Sequence, residues 1–170
     1  MIDWSRCRES ANALQVAPVT RELKFSSRLY NEGWTCMKEA TFKFEVVDDL
    51  LISFQTAGPA PDGMWDEFVK QLKKPEVKKF LGTTMGAAEV NSVQRKNAAN
   101  VFKVRKIPVV IVTESSLVRG LVTAVSWLGA DVKAFDWVDL RKGLNYLNVG
   151  GSQQEQAVET TVRLKATYAR

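Results

Sequence analysis

Residues Lys106 to Asp131 read KIPVVIVTESSLVRGLVTAVSWLGAD. An unbroken apolar run from Ile107 to Val112 stops at Thr113, the polar turn Glu114-Ser115-Ser116 follows, and an almost wholly apolar segment runs from Leu117 to Leu128. A strand with no polar face is buried on both sides, as in the middle of a parallel sheet. A helix that is apolar nearly all round is buried as well. The stretch therefore predicts a central strand, a tight turn and a helix lying back on the sheet.

Upstream, Phe42, Phe44 and Val46 alternate with Thr41, Lys43 and Glu45, and Leu50, Ile52 and Phe54 alternate beyond the turn Asp48-Asp49. This predicts an antiparallel hairpin. After the loop AGPAPDG (residues 57–63), Asp62 is expected to cap a helix whose buried face is Trp65, Phe68, Val69 and Leu72, and Pro75 stops it. Residues 80–85 read as a short strand. Val90, Val93, Asn97, Val101 and Val104 mark the inner face of a second helix, with Arg95, Lys96, Lys103 and Arg105 outside. Downstream, residues 132–135 predict another strand. Asp136 and Asp139 stand at the start of a helix that buries Leu140, Leu144 and Leu147. Gly150-Gly151-Ser152 breaks the chain, and the tail after it reads as a helix, with a strand over residues 158–164 as the alternative.

The fold class expected is α/β: a mixed four- or five-stranded sheet opened by an antiparallel hairpin, continued by right-handed crossovers, with helices mainly on one face. Residues 1–40 are expected to form an amino-terminal extension, with a short helix at 7–14 and a strand or helix at 23–30. Residues 41–149 are the domain, and 150–170 a carboxy-terminal tail.

This order of elements resembles the STAS-like family, the fold of the sporulation anti-sigma-factor antagonists. The likeness runs from Thr41 to Val149 and is carried by the block PVVIVTESSLVRGLVTAVSWLGADVKAFDWVDLRKGL. It implies a binding role without chemistry of its own. In those antagonists a serine or threonine at a helix start is phosphorylated, and the corresponding segment here is GTTMGAAEVNS, residues 82–92. The family's aspartate-then-serine pattern is missing from it. Thr83, Thr84 and Ser92 are its only hydroxyls and hence the candidate phospho-acceptors or switch loop.

Composition narrows the function. The chain has 170 residues, 45% hydrophobic, a net charge of +5 and no histidine. The last fact removes Ser/His and Cys/His dyads, histidine metal sites and the usual general base near neutral pH. Carboxylate, lysine or thiol catalysis stays open. The charge is modest and its basic residues are scattered, so nucleic acid is not the expected partner, although the basic second helix is the place where it would bind. Cys7 and Cys36 fit neither a disulfide framework nor a zinc pattern. The start MIDWSRCRES lacks the apolar core of a secretion signal. A cytoplasmic protein with no cofactor, no metal and no membrane span is expected.

Three groups of residues are singled out. Val118, Val122 and Trp127 provide more apolar surface than one sheet face needs and are the candidate surface for another protein or a second copy. Ser115, Ser116 and Arg119 stand where a strand delivers the chain to a helix start, a place that can hold an anion; the plain alternative is that Ser116 caps the helix. Glu114 with Asp131 or Asp136 could pair carboxylates. Gly120, inside an apolar helix, points to a close helix–sheet approach. The first functional expectation is a non-catalytic, regulatory protein-binding module. The second is a small-molecule or nucleotide-binding domain using the strand ends at Thr113–Ser116 and Thr83–Thr84.

Overall fold

The structure is a computed structural model that describes residues 41–127 and 131–168, with the backbone alone for 121 and 123–127. The expectations for residues 1–40, and for the side chain of Trp127, lie outside what is described.

The hairpin forms as expected. β1 (Phe42–Val47) and β2 (Leu50–Gln55) pair antiparallel, Val47 opposite Leu50. The chain continues through the short β3 (Gly58–Pro59), α1 (Asp62–Lys73), β4 (Lys79–Thr84), the short β5 (Ala88–Glu89) and α2 (Ser92–Arg105). β6 (Val109–Thr113), α3 (Ser116–Trp127), β7 (Val132–Phe135), a 3-10 turn (Trp137–Asp139), α4 (Leu140–Tyr146) and α5 (Gly151–Tyr168) complete it. The main sheet has five strands in the order β1-β2-β4-β6-β7, parallel after the hairpin. The tail is a helix, not a strand.

The class and the mixed sheet match the sequence reading; the placement of the helices corrects it. Alternate residues of the strands feed two separate cores. Phe42, Leu51, Phe80 and Val109 pack with Trp65, Phe68 and Leu72 of α1 and Ala98 and Val101 of α2. Leu50, Ile52, Phe54, Leu81, Val110 and Val112 pack with Leu140 and Leu144 of α4 and Ala157 and Leu164 of α5. Helices therefore cover both faces. The crossover helices share one face, as right-handed connections along a sequential strand order require. The tail closes the other, because β2, β4 and β6 are apolar on both sides and both sides must leave water.

Local corrections have local causes. Asp62 is not the cap of α1. Pro61 holds that place, and the Asp62 carboxylate accepts 2.8 Å from the Gln94 side chain. α2 is rotated from its expected phase: Gln94, Ala98 and Val101 are buried, while Val93 is 66% and Val104 81% exposed. A capping box sets this phase. The Asn91 side chain accepts from the Gln94 N–H, and the Gln94 side chain accepts from the Asn91 N–H. Gln94 then donates to the Ala60 carbonyl at 3.0 Å, so a polar residue occupies a position that hydrophobic spacing assigns elsewhere. Arg105, read as outer-face charge, donates instead to the carbonyls of Leu72, Lys74 and Pro75 and closes the carboxyl end of α1. The close helix–sheet approach lies at Gly143 of α4, where a Cβ would meet Val110 Cγ1 at 2.9 Å; Gly120 has open space instead.

Candidate functional site

Among the described residues, the face of the sheet under α2 and α3 is not filled. Its floor is Phe80, Gly82 and Thr84 of β4, Val109 and Ile111 of β6, and Val132 of β7. α2 walls one side with Arg95, Ala98, Ala99, Phe102 and Lys103, and Val118 and Val122 of α3 wall the other. Between them lies a cavity of about 1100 Å³.

Gly82 on the floor and Ala98 on the α2 wall are small. Gly82 could not carry more without movement, since its Cβ would stand 2.8 Å from Ile111 Cδ1 and 3.2 Å from the Phe80 ring. The ring of Phe80 stacks on Phe102, centroids 5.2 Å apart, which braces α2 beside the opening. At the carboxyl ends of the strands, Gln55 is buried and donates to the carbonyls of Gly58 and Glu89, both at 3.1 Å. It thereby fixes the β3–β5 pair over that end of the cleft.

Charge is uneven around the cavity. Arg95, Lys103 and Lys106 line it and are exposed, and among the described residues none of the three has an ion-pair partner. Asp131 is the one carboxylate among its described lining residues. That carboxylate accepts from the Tyr146 hydroxyl. The hydrogen bond to Asp131, with burial and the Asp131 charge behind it, pushes the Tyr146 hydroxyl up from its usual 10.0 to about 12.

The residues singled out from the sequence separate. Val118 and Val122 come together on the cleft wall, half-buried. Ser115, not Ser116, caps α3: its Oγ accepts from the Val118 N–H at 3.3 Å, and Thr113 Oγ1 accepts from the Ser115 N–H. Ser116 is exposed. Arg119 donates to the Thr113 carbonyl and to Asp136, both at 2.8 Å, so a carboxylate of the chain supplies the negative charge beside it. Thr83 is buried and its hydroxyl donates to the Ser53 carbonyl at 2.7 Å. Thr84 is half-buried and its carbonyl accepts from the Trp137 ring N–H; Ser92 is exposed in the first turn of α2. The three hydroxyls form no cluster. Glu114, Asp131 and Asp136 each have a separate partner, in Lys165, Tyr146 and Arg119, and do not pair.

Sequence reading missed the cleft. The available signal was Gly82 inside a strand pattern, which marks a bulge or a close approach. Among the described residues no group of His, Cys, Asp and Glu is placed to hold a metal ion, and no helix is long and apolar enough to cross a membrane. No protein-family model matches the chain, and no curated protein matches its sequence.

Proposed function

We propose that the protein is a non-catalytic binding module that holds a small apolar ligand in the cleft under α2 and α3. The cleft carries the reading. Folded interiors are packed to crystal density and leave few voids larger than a water molecule. A space of about 1100 Å³ walled by Phe102, Ile111, Val118 and Val122 is of the size and lining of a ligand site. Among its described lining residues Asp131 is the one acid, and it accepts from Tyr146; the chain has no histidine. The STAS-like resemblance and a cytoplasmic, regulatory role belong to the same proposal; the support for the resemblance is the order of elements from β1 to α4.

A neutral dye that fluoresces only in apolar surroundings, N-phenylnaphthylamine, tests it. Saturable fluorescence is expected with the natural protein and a loss of it with Ile111→Trp, which fills the cleft from the floor. No saturable signal from the natural protein ends this reading.

A second reading, protein contact, is favoured by one observation. Leu117 at the start of α3 is 83% exposed and Val138 beyond β7 is 89% exposed, on two segments joined by the Arg119–Asp136 pair. Self-association through them would show as a rise in mass with concentration in sedimentation, abolished by Leu117→Glu with Val138→Glu.

A further inference from the structure

Resting on the cleft reading, we infer that the ligand is a single-chain anionic amphiphile, its tail lying over Gly82 and Ile111 and its head held along the α2 edge by Arg95, Lys103 and Lys106. The tail follows from the floor and walls. Phe80, Phe102, Ile111, Val118 and Val122 offer no donor or acceptor, and a chain of methylenes asks for none.

The head follows from the rim. Several basic side chains elsewhere are used by the protein itself: Lys79 on Asp49, Arg119 on Asp136, Arg163 on Glu45, Arg105 on three carbonyls. Arg95, Lys103 and Lys106 have no ion pair among the described residues, a state they share with Lys43, Lys73, Lys74, Lys78, Lys96 and Lys133; what sets them apart is that they line an apolar cleft whose one described carboxylate is Asp131. Lys103 and Lys106 stand at the carboxyl end of α2, where a cation suits the helix dipole without any ligand. Arg95 has no such reason. It lies in the first turn, where the dipole disfavours a cation and where the helix has no acid. Arg95 brings this disfavoured charge to the cleft, where an anion from outside the chain can meet it. Ser53, Gln55, Thr83 and Thr84 are the polar strand residues among the described lining; Gln55 is already engaged with Gly58 and Glu89 and the Thr83 hydroxyl with the Ser53 carbonyl, so the polar end of the ligand belongs at the rim and not inside.

Displacement of bound N-phenylnaphthylamine by dodecanoate and by dodecanol, at concentrations below micelle formation, tests the inference on the full chain. Dodecanoate is expected to compete about tenfold better than the alcohol, a ratio that a few partly exposed charge contacts can supply. Arg95→Glu and the double change Lys103→Glu with Lys106→Glu should each reduce that preference, read within each variant as the ratio of the acid's competition to the alcohol's. Gly82→Val should weaken dodecanoate and dye together; Ile111→Trp is the second route to the same result should Gly82→Val fail to fold. Equal competition by acid and alcohol, unchanged by the charge reversals, overturns the amphiphile inference and leaves the cleft reading standing. Dodecanoate binding that survives both cleft-filling changes places the acid on the surface and overturns it too. Absence of dye binding in the natural protein removes both.

Discussion

Gly82 of β4 and Ile111 of β6 face each other in register, so close that a Cβ on the glycine would lie 2.8 Å from Ile111 Cδ1. The obstructing atom is the end of a side chain and not backbone. Gly82→Ala is therefore expected to cost about 1 kcal/mol, the strain of moving Ile111 exceeding the gain from a less flexible unfolded chain. Ile111→Val removes the obstructing carbon. The double variant should recover at least about 0.5 kcal/mol relative to the sum of the single changes, read from urea midpoints. Additive single effects would mean that the two residues do not touch.

Gln94 ties α2 to Ala60 in the loop before α1 and to Asp62 at the start of α1, and shares a capping box with Asn91. Gln94→Ala leaves the Ala60 carbonyl without that donor and is expected to cost about 2–3 kcal/mol in denaturant unfolding. Val93→Ala, one residue away and 66% exposed, should stay within about 0.5 kcal/mol. A reversed order would restore the phase of α2 that the valine spacing suggests.

Ser115 and Ser116 are neighbours of the same type with different work. Ser115 Oγ caps α3, and Ser116 lies exposed in its first turn. Ser115→Ala should destabilise by about 1 kcal/mol and Ser116→Ala by less than about 0.5 kcal/mol. Thermal melts of the two variants decide it.

Tyr146 carries a pH prediction. Its hydroxyl, hydrogen-bonded to Asp131, titrates at about 12 in the folded chain against the usual 10.0. The folded value lies above the unfolded one, so the stabilisation is complete below pH 10.0 and is lost as pH rises through about 12. Asp131→Asn should bring phenolate absorbance back toward the usual value. Tyr146→Phe should flatten the loss of stability in the same window. An unchanged phenolate titration in Asp131→Asn would break the assignment.

What could be read from the sequence follows from how many residues carry each signal. The strand through Val109, Val110, Ile111 and Val112 has no polar position to confuse it, and α1 declares its face by Trp65, Phe68, Val69 and Leu72, all of which are buried. α2 misleads because its inner face is built from Gln94, Ala98 and Val101, a polar anchor and a small residue among them, while two valines face water. The anion site at Ser115, Ser116 and Arg119 reads well as a list of residue types, but Asp136, 17 positions beyond Arg119, already meets the guanidinium. Long-range pairing of that kind leaves no local trace. The cleft is harder still, since it lies between α2, α3 and the sheet and belongs to no single element. Hydrophobic periodicity records which residues turn inward, not how far short of one another they stop.

The first turn of α5 grips the opening hairpin: Gln153 donates to the Val47 carbonyl at 3.2 Å and to Asp49 at 2.8 Å, more than a hundred positions back along the chain. Farther along the same helix, Ala157 and Leu164 sit on Leu50, Ile52 and Phe54. During synthesis the earliest strands must therefore wait for the latest helix before their second side is sealed. Until then a greasy ledge stands open on the nascent chain, and a ribosome stalled near Gly150 would present quality-control proteases with a half-roofed substrate.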